Sequence, residues 1–180
     1  MADDHLLIDR HQQALEALHR RDLDDAEVHA VALLERATAP DTPSSWFVGN
    51  AVHHGHVVRG LVAWERGDLD GASEQLLSAT SGPTSPQLLS FGPDVVLADR
   101  LLGAGRPSVV VDYLLRVRRL WRVRIVPSTD APMWKWPRPT SRWIAAIQRG
   151  KAPDWAFLMH LSVQNLLPSR LRTSEPRAHG

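Results

Sequence analysis

Four polar side chains in the first third of the chain have the types and the spacing that chemistry requires. His53, His54 and His56 stand in the segment HHGH, and Asn50 lies four residues before His54. An imidazole can bind a metal, carry a proton or form two hydrogen bonds, and an amide both donates and accepts. In the helix predicted over residues 45–66, Asn50 and His54 lie one turn apart inside an apolar face.

Buried polar groups of this kind need partners, because an unmet group costs about 1–3 kcal/mol. The favoured interpretation is that Asn50 and His54 fasten the loop 87–94. The alternative is a pocket between helical hairpins that binds a small polar ligand, with His53 at its edge. The apolar face consists of Trp46, Phe47, Ala51, Val57, Val58, Leu61 and Val62. The candidate ligand-binding residues are Trp46, Asn50, His53, His54, Gln87 and Asp94.

Standard catalytic and metal-binding motifs are missing from the sequence. His53 and His56 are three residues apart and are weak candidates for a metal site, but no carboxylate lies at a helical offset from them and the chain has no cysteine. His54 and Asp94 are the weak candidates for an acid–base pair, formed if the insert 81–93 folds over the helix. We therefore predict no metal and no cofactor, and we regard an enzyme as the less favoured class.

Arginine-rich residues in the second half of the chain form another candidate surface. The candidate anion-binding residues are Arg116, Arg118, Arg119 and Arg122, and tryptophans interleave with them. Arginine with aromatic side chains is typical of anion or single-stranded nucleic-acid binding. The favoured alternative is that the arginines pair with acidic residues of the first half, while the tryptophans cover the end of a helical stack. Nucleic acid is accordingly not the expected partner.

The charges are divided unevenly along the sequence. Residues 1–80 carry 6 Arg and 14 Asp or Glu, a net charge of −8, whereas residues 81–180 carry 15 Lys or Arg and 6 acids, a net charge of +9. Such a division favours the docking of an acidic surface on a basic one, within the chain or in a homodimer.

A repeated interval of small and apolar residues indicates the elements that hold these side chains. The middle unit has Gly60, Ala63, Gly67, Ala72, Leu76 and Ala79. The same intervals give Ala14, Ala17, Arg21, Ala26, Ala30 and Leu33, and then Ala98, Leu101, Gly105, Val110, Leu114 and Val117. Small residues suit close helix crossings, and a left-handed residue followed by a cap (Asp22, Asp68 or Ser108) suits a hairpin turn.

These intervals resemble the tetratricopeptide repeat, with the middle unit as the best match. Arg21 replaces the turn glycine in the first unit and Val110 the small residue in the third. The resemblance implies an all-α fold of antiparallel helical hairpins, stacked in a short right-handed superhelix. The inserts 38–45 and 81–93, rich in Pro, Ser and Thr, are predicted to be loops.

A closer resemblance covers roughly residues 46–155. The segments GNAVHHGHVVRG, SPQLLSFGPDVVLADRLL and WIAAIQRGKAPDW are similar to a group of bacterial tetratricopeptide-like proteins of unestablished activity. This chain departs from that group at Leu89 and Asp94, where the group has Asn. A polar site built on those two amides is therefore not expected here.

These patterns predict one helical domain over residues 1–167. The three repeat-like units span about 6–37, 46–80 and 93–121, and a cap over 122–167 combines an irregular Trp- and Pro-rich segment with a helix over 140–149 and a final helix from Asp154. Residues 168–180 are predicted to be disordered. No apolar stretch approaches the length of a membrane span, and the acidic start differs from a signal peptide. We therefore predict a cytoplasmic protein.

The predicted function is a binding module that engages a protein segment or a small ligand in its groove. The first alternative is a small enzyme or ligand carrier with a polar pocket around Asn50, His54 and Asp94. The second is an anion- or nucleic-acid-associated factor acting through the Arg- and Trp-rich half. An open groove would favour the binding module, and an enclosed polar pocket of a few hundred Å³ the carrier.

Overall fold

The fold is all-helical in a computed structural model that describes residues 2–42, 45–120, 140–155 and 158. The described part contains eight helices and no strand. The first four are α1 (Ala2–Arg20), α2 (Leu23–Thr38), α3 (Val48–Glu65) and α4 (Leu69–Ser78). The others are α5 (Pro86–Phe91), α6 (Val96–Gly103), α7 (Pro107–Leu120) and α8 (Thr140–Gln148). The prediction of an all-α fold is confirmed for the described residues.

Most helices that follow one another in the sequence pack against one another. α1 lies on α2 and α3, α3 lies on α2 and α4, and α6 lies on α3, α4 and α7. α8 then packs on α7. These contacts are those expected of stacked helical hairpins.

The three hairpin turns fall where the repeated interval predicts them. Arg21, Gly67 and Gly105 have φ angles of 63°, 82° and 76°, in the left-handed region. Glycine tolerates this region, whereas Arg21 adopts it with a Cβ atom present. The side chain of Arg21 also binds Glu65 at 2.9 Å, which joins the first turn to the end of α3.

The predicted helix caps are partly correct. Asp22 accepts a hydrogen bond from the N–H of Asp25, and Asp68 accepts one from Gly71, so both cap the helix that follows. Ser108 is not a cap, because α7 already begins at Pro107. Proline suits a first helical position, since its ring presets φ and its missing N–H would be unpaired there.

Small residues stand at the closest helix crossings. Ala14, Ala26 and Ala72 are fully buried in the main core. A Cβ atom added to Gly60 would lie 2.2 Å from Leu97 Cδ2, so α3 and α6 approach as closely as they do because Gly60 has no side chain.

The surroundings of α3 differ from the sequence prediction. Val52 and His53, outside the predicted apolar face, are only 3% and 2% exposed, because α3 has neighbours on all sides. The insert 81–93, predicted to be a loop, contains α5, whose N-cap is the Ser85 hydroxyl. A short capped helix inside a Pro- and Ser-rich segment gives too few periodic residues to be recognised from sequence.

Tryptophans close the described C-terminal end. The indole N–H of Trp155 donates to Asp99 Oδ1 of α6 at 2.8 Å, and that of Trp143 donates to the Asp154 carbonyl. The two rings lie 5.1 Å apart. Three predicted features lie outside the described residues. They are the irregular segment 122–139, most of the final helix from Asp154, and the tail 168–180. None of the described helices is long and apolar enough to cross a bilayer.

Candidate functional site

The candidate residues of α3 divide into two groups that face different parts of the molecule. Asn50 and His53 face the segment 79–95, whereas His54 faces α1. The division follows from helix geometry, since consecutive residues are separated by about 100° around the axis. The favoured interpretation of the sequence, that Asn50 and His54 fasten the loop 87–94, therefore agrees with the bonds of Asn50 but not with the position of His54.

Asn50 fastens the start of α5. Its side-chain oxygen accepts a hydrogen bond from the Ser85 hydroxyl, and its amide nitrogen donates to Gln87 Oε1. The Ser85 hydroxyl also accepts from the N–H of Leu88. Asn50 is 1% exposed. Its polar atoms are therefore used in holding the insert on α3.

His53 has partners on both ring nitrogens. Nδ1 lies 2.9 Å from the Ala79 carbonyl oxygen, and Nε2 lies 2.9 Å from the backbone N–H of Asp94. A carbonyl can only accept and an N–H can only donate, so the ring is neutral with its proton on Nδ1. Burial lowers the pKa of His53 to about 4. The ring therefore joins the backbone at Ala79 to the backbone at Asp94.

Asp94 extends the same network. Its Oδ1 accepts from the N–H of Val96 at the start of α6, and its carbonyl accepts from the Tyr113 hydroxyl at 2.8 Å. Burial, followed by the nearby Asp94, raises the pKa of Tyr113 well above its usual value. The ring that bonds to the backbone of Asp94 is that of His53, whereas His54 faces α1, so the acid–base pair of His54 and Asp94 stays a prediction.

His54 stacks on an imidazole of α1. The rings of His54 and His11 are 4.4 Å apart between centroids and tilted by 15°. His54 Nδ1 and His11 Nε2 are shielded from solvent, and neither has a hydrogen-bond partner. Two turns before His11, Asp4 Oδ1 is likewise shielded and unpartnered, and so is Arg59 Nε of α3. Nearly all buried polar atoms in proteins are hydrogen-bonded, so four such atoms on two adjoining helices are unusual.

Both imidazoles of this pair are kept neutral. Burial, followed by the repulsion that a protonated His53 would add, lowers the pKa of His11 to about 4. Burial, followed by His11 and then His53, lowers the pKa of His54 well below its usual value. A neutral imidazole presents one donor and one acceptor, so the pair can recognise a polar group but cannot supply a positive charge near neutral pH.

Aromatic side chains stand beside this pair. Phe47 lies 5.9 Å from the His11 ring, and Trp46 packs edge-on against Phe47 at 5.4 Å. Trp46 is 48% exposed. The start of α3 thus presents an indole to solvent next to the buried imidazoles.

The metal candidates are engaged in other contacts. Both nitrogens of His53 are bonded as described, and His56 Nδ1 lies 2.8 Å from Gln75 Oε1 of α4. No group of three or more metal-ligating side chains occurs within the described residues. Nor do the stacked planes of His11 and His54 suit one ion, since a ligated metal lies in the plane of each imidazole.

A small cavity adjoins the His53 network. Its volume is about 20 Å³, and its walls include Gly49, His53, Leu88, Pro93 and Val117. This is enough for about one water molecule. It is far smaller than the several hundred Å³ that a metabolite needs.

The arginines of α7 are at the surface. Arg116, Arg118 and Arg119 are exposed, and the guanidinium of Arg116 also reaches the Leu77 carbonyl of α4 at 3.4 Å. Neither Arg118 nor Arg119 forms an ion pair within the described part of the chain. The fourth candidate, Arg122, and Trp121 lie outside the described residues.

His11 is a candidate functional residue that the sequence did not single out. This residue stands on the apolar face of α1, with the buried residues Leu7, Ala14 and Leu15 at offsets of three or four. The criterion that selected His54, a polar residue inside an apolar helical face, also selects His11.

Comparison of the chain with family models, with curated proteins and with solved structures finds no match.

Proposed function

We propose that this protein is a helical-repeat binding module, with tetratricopeptide-like hairpins stacked in a short right-handed superhelix. Its recognition site lies where α1 packs on α3, around His11 and His54. The ligand is a protein segment or a small molecule whose polar groups bond to these two imidazoles, while Trp46 contributes an apolar contact at the edge.

The observation that carries this proposal is the pair of buried, unpartnered ring nitrogens, His11 Nε2 and His54 Nδ1. A leucine at either position would pack in the same layer without leaving a polar atom unmet. Polar groups that cost stability in the free protein are typical of binding sites. Asn50 and His53 have a different role in this proposal, because their polar atoms are already used in holding the insert.

The alternative of an enzyme or ligand carrier is less well supported. It requires Asn50, His54 and Asp94 around one enclosed pocket, whereas Asn50 is bonded to the α5 region and Asp94 to His53. The cavity beside His53 is also too small for a metabolite.

Native mass spectrometry of the full chain purified from its own host tests the proposal. We expect a bound species on the wild-type protein that is lost in H54L and in H11L, while both variants keep their helical circular dichroism. H19L is the matched control, because His19 is an exposed histidine of the same helix as His11, and it should retain the species. A ligand that remains bound to folded H54L and H11L would refute the site.

A further inference from the structure

The outer face of α1 carries an acidic patch with an exposed leucine at one end. Leu6 is 42% exposed, and Asp9 and Glu16 are exposed on the same side of the helix. Neither carboxylate forms an ion pair within the described residues. The neighbouring Arg10 instead bonds to Gln13 and lies 3.3 Å from His29 of α2. We call Leu6, Asp9 and Glu16 the acidic patch.

The last two turns of α7 carry a basic patch, which likewise combines one exposed leucine with two exposed charged side chains. Leu115 is 39% exposed, and Arg118 and Arg119 follow it at the offsets that place side chains beside it on a helix. Asp112, one turn before Leu115, is the acidic residue of this helix. We call Leu115, Arg118 and Arg119 the basic patch.

Several other charged side chains form ion pairs with residues that lie next to them in space. Arg20 pairs with Asp25, Arg21 with Glu65, and Arg66 with Asp24 and Glu27. Arg106 reaches from the basic half to Asp70 of the acidic half. The four charges of the two patches do not take part in these pairs. α1 packs mainly on α2 and α3, and α7 on α4, α6 and α8, so the two patches belong to different parts of the stack.

We propose that the acidic patch of one copy docks on the basic patch of a second copy of this chain. Each patch has one exposed leucine beside two charged side chains, and the charges of the two patches are opposite. Docking would therefore bury both leucines and pair the carboxylates with the guanidinium groups. The net charge of only +1 opposes association weakly. If both pairs of patches engage at once the contact closes into a two-fold dimer, and if only one pair engages it is head-to-tail and propagates into a ring or an open chain.

Sedimentation velocity of the full-length protein over a range of concentrations gives the first test. In about 0.1 M NaCl we expect the average mass to rise with concentration above the 20.1 kDa of one chain. In about 1 M NaCl, where the screening length falls to about 3 Å, the protein should return to a monomer.

Charge reversal then identifies the surfaces. R118E/R119E makes both patches acidic, and D9R/E16R makes both basic, so each variant alone should self-associate at least about tenfold more weakly. A mixture of the two variants restores complementary patches and should associate again. R142E/R149E and E35R/E74R are the matched controls, since they change the net charge equally at exposed positions elsewhere and should behave as the wild type. Circular dichroism melts confirm that every variant is folded.

Three outcomes would overturn the proposal. The first is a wild-type protein that is monomeric at every concentration in low salt, which would leave the basic patch for an anionic partner other than this chain. The second is a control pair that weakens association as much as the patch reversals do. The third is a mixture of the two reversed variants that stays monomeric.

Discussion

His53 and His54 are adjacent in the sequence but differ in the hydrogen bonding of their ring nitrogens. His53 bonds through both nitrogens to the backbone of two other segments, whereas His54 leaves Nδ1 shielded and unpartnered. Removing a partner from a buried group costs the desolvation of the group left behind, whereas removing an unpartnered group relieves that cost. The two histidines should therefore respond to the same substitution with opposite signs.

We predict that His53→Leu lowers the free energy of unfolding by about 2–4 kcal/mol, because the Ala79 carbonyl and the Asp94 N–H both lose their partner. His54→Leu should leave the free energy of unfolding unchanged or raise it by up to about 1 kcal/mol. Urea denaturation of the two variants beside the wild type measures both values. Equal losses of stability would show that His54 is a structural residue after all.

Two glycines around one turn offer a second contrast at this scale. Gly105 has φ of 76°, whereas Gly103 is the last residue of α6, and an added Cβ atom meets nothing within 4 Å at either position. We predict that Gly105→Ala destabilises by about 1–2 kcal/mol through backbone strain. Gly103→Ala should stabilise by about 0.5–1 kcal/mol, because alanine favours the helix. Thermal melts decide the signs, and a stabilising Gly105→Ala would contradict the left-handed turn.

At the scale of elements, the sequence predicted the hairpins because their signals are local. A turn residue, a capping Asp and a small residue at a crossing each depend on neighbours within one or two turns, as at Asp68 and Ala72. The predictions for Ser108, as a cap, and for residues 86–91, as a loop, were wrong because the local signals there are ambiguous or weak. Proline at 107 already begins α7, and α5 is only six residues long.

The site was less predictable because it depends on which helix lies opposite each face of α3. The sequence shows that Asn50 and His54 are polar residues in an apolar setting. It does not show that the segment 79–95 lies beside His53, or that α1 brings His11 to His54. Such long-range pairings depend on the packing of whole helices.

The crossing of α3 and α4 provides a prediction at this scale. Ala72 is fully buried in the main core. We expect Ala72→Leu to destabilise by about 1–3 kcal/mol, because the added atoms force close-packed helices apart. Glu74→Leu is the control, since Glu74 is exposed on the same helix and surface changes usually stay within about 0.5 kcal/mol. Equal denaturation midpoints for Ala72→Leu and the wild type would refute the repeat register.

At the scale of the whole molecule, three neutral imidazoles in the interior couple stability to pH. Burial lowers the pKa values of His11 and His53 to about 4, and that of His54 also falls well below 6.5. In the unfolded chain these groups protonate near pH 6.5. Between pH 6.5 and 4 the unfolded state therefore binds more protons, and stability falls as the pH falls.

We predict that unfolding at pH 5 requires less free energy than at pH 7.5, with His11 and His53 each contributing up to about 2 kcal/mol to the difference. Urea titrations at a series of pH values measure the dependence. H11L/H54L should reduce the slope between pH 6.5 and 5 and leave the part due to His53, whereas H19L, at an exposed position, should retain the wild-type slope. A double variant with the wild-type slope would show that these two rings are not the groups that titrate.

The bond between His53 and Asp94 has a consequence for the synthesis of the protein. The two residues are 41 positions apart, and translation proceeds at about 5–20 residues per second. About 2–8 seconds therefore pass between the polymerisation of His53 and that of the residue whose N–H it accepts. The ring of His53 therefore gains its second partner only after the chain has been made past Asp94, so α3 is joined to the start of α6 only when the third repeat-like unit begins to be synthesised.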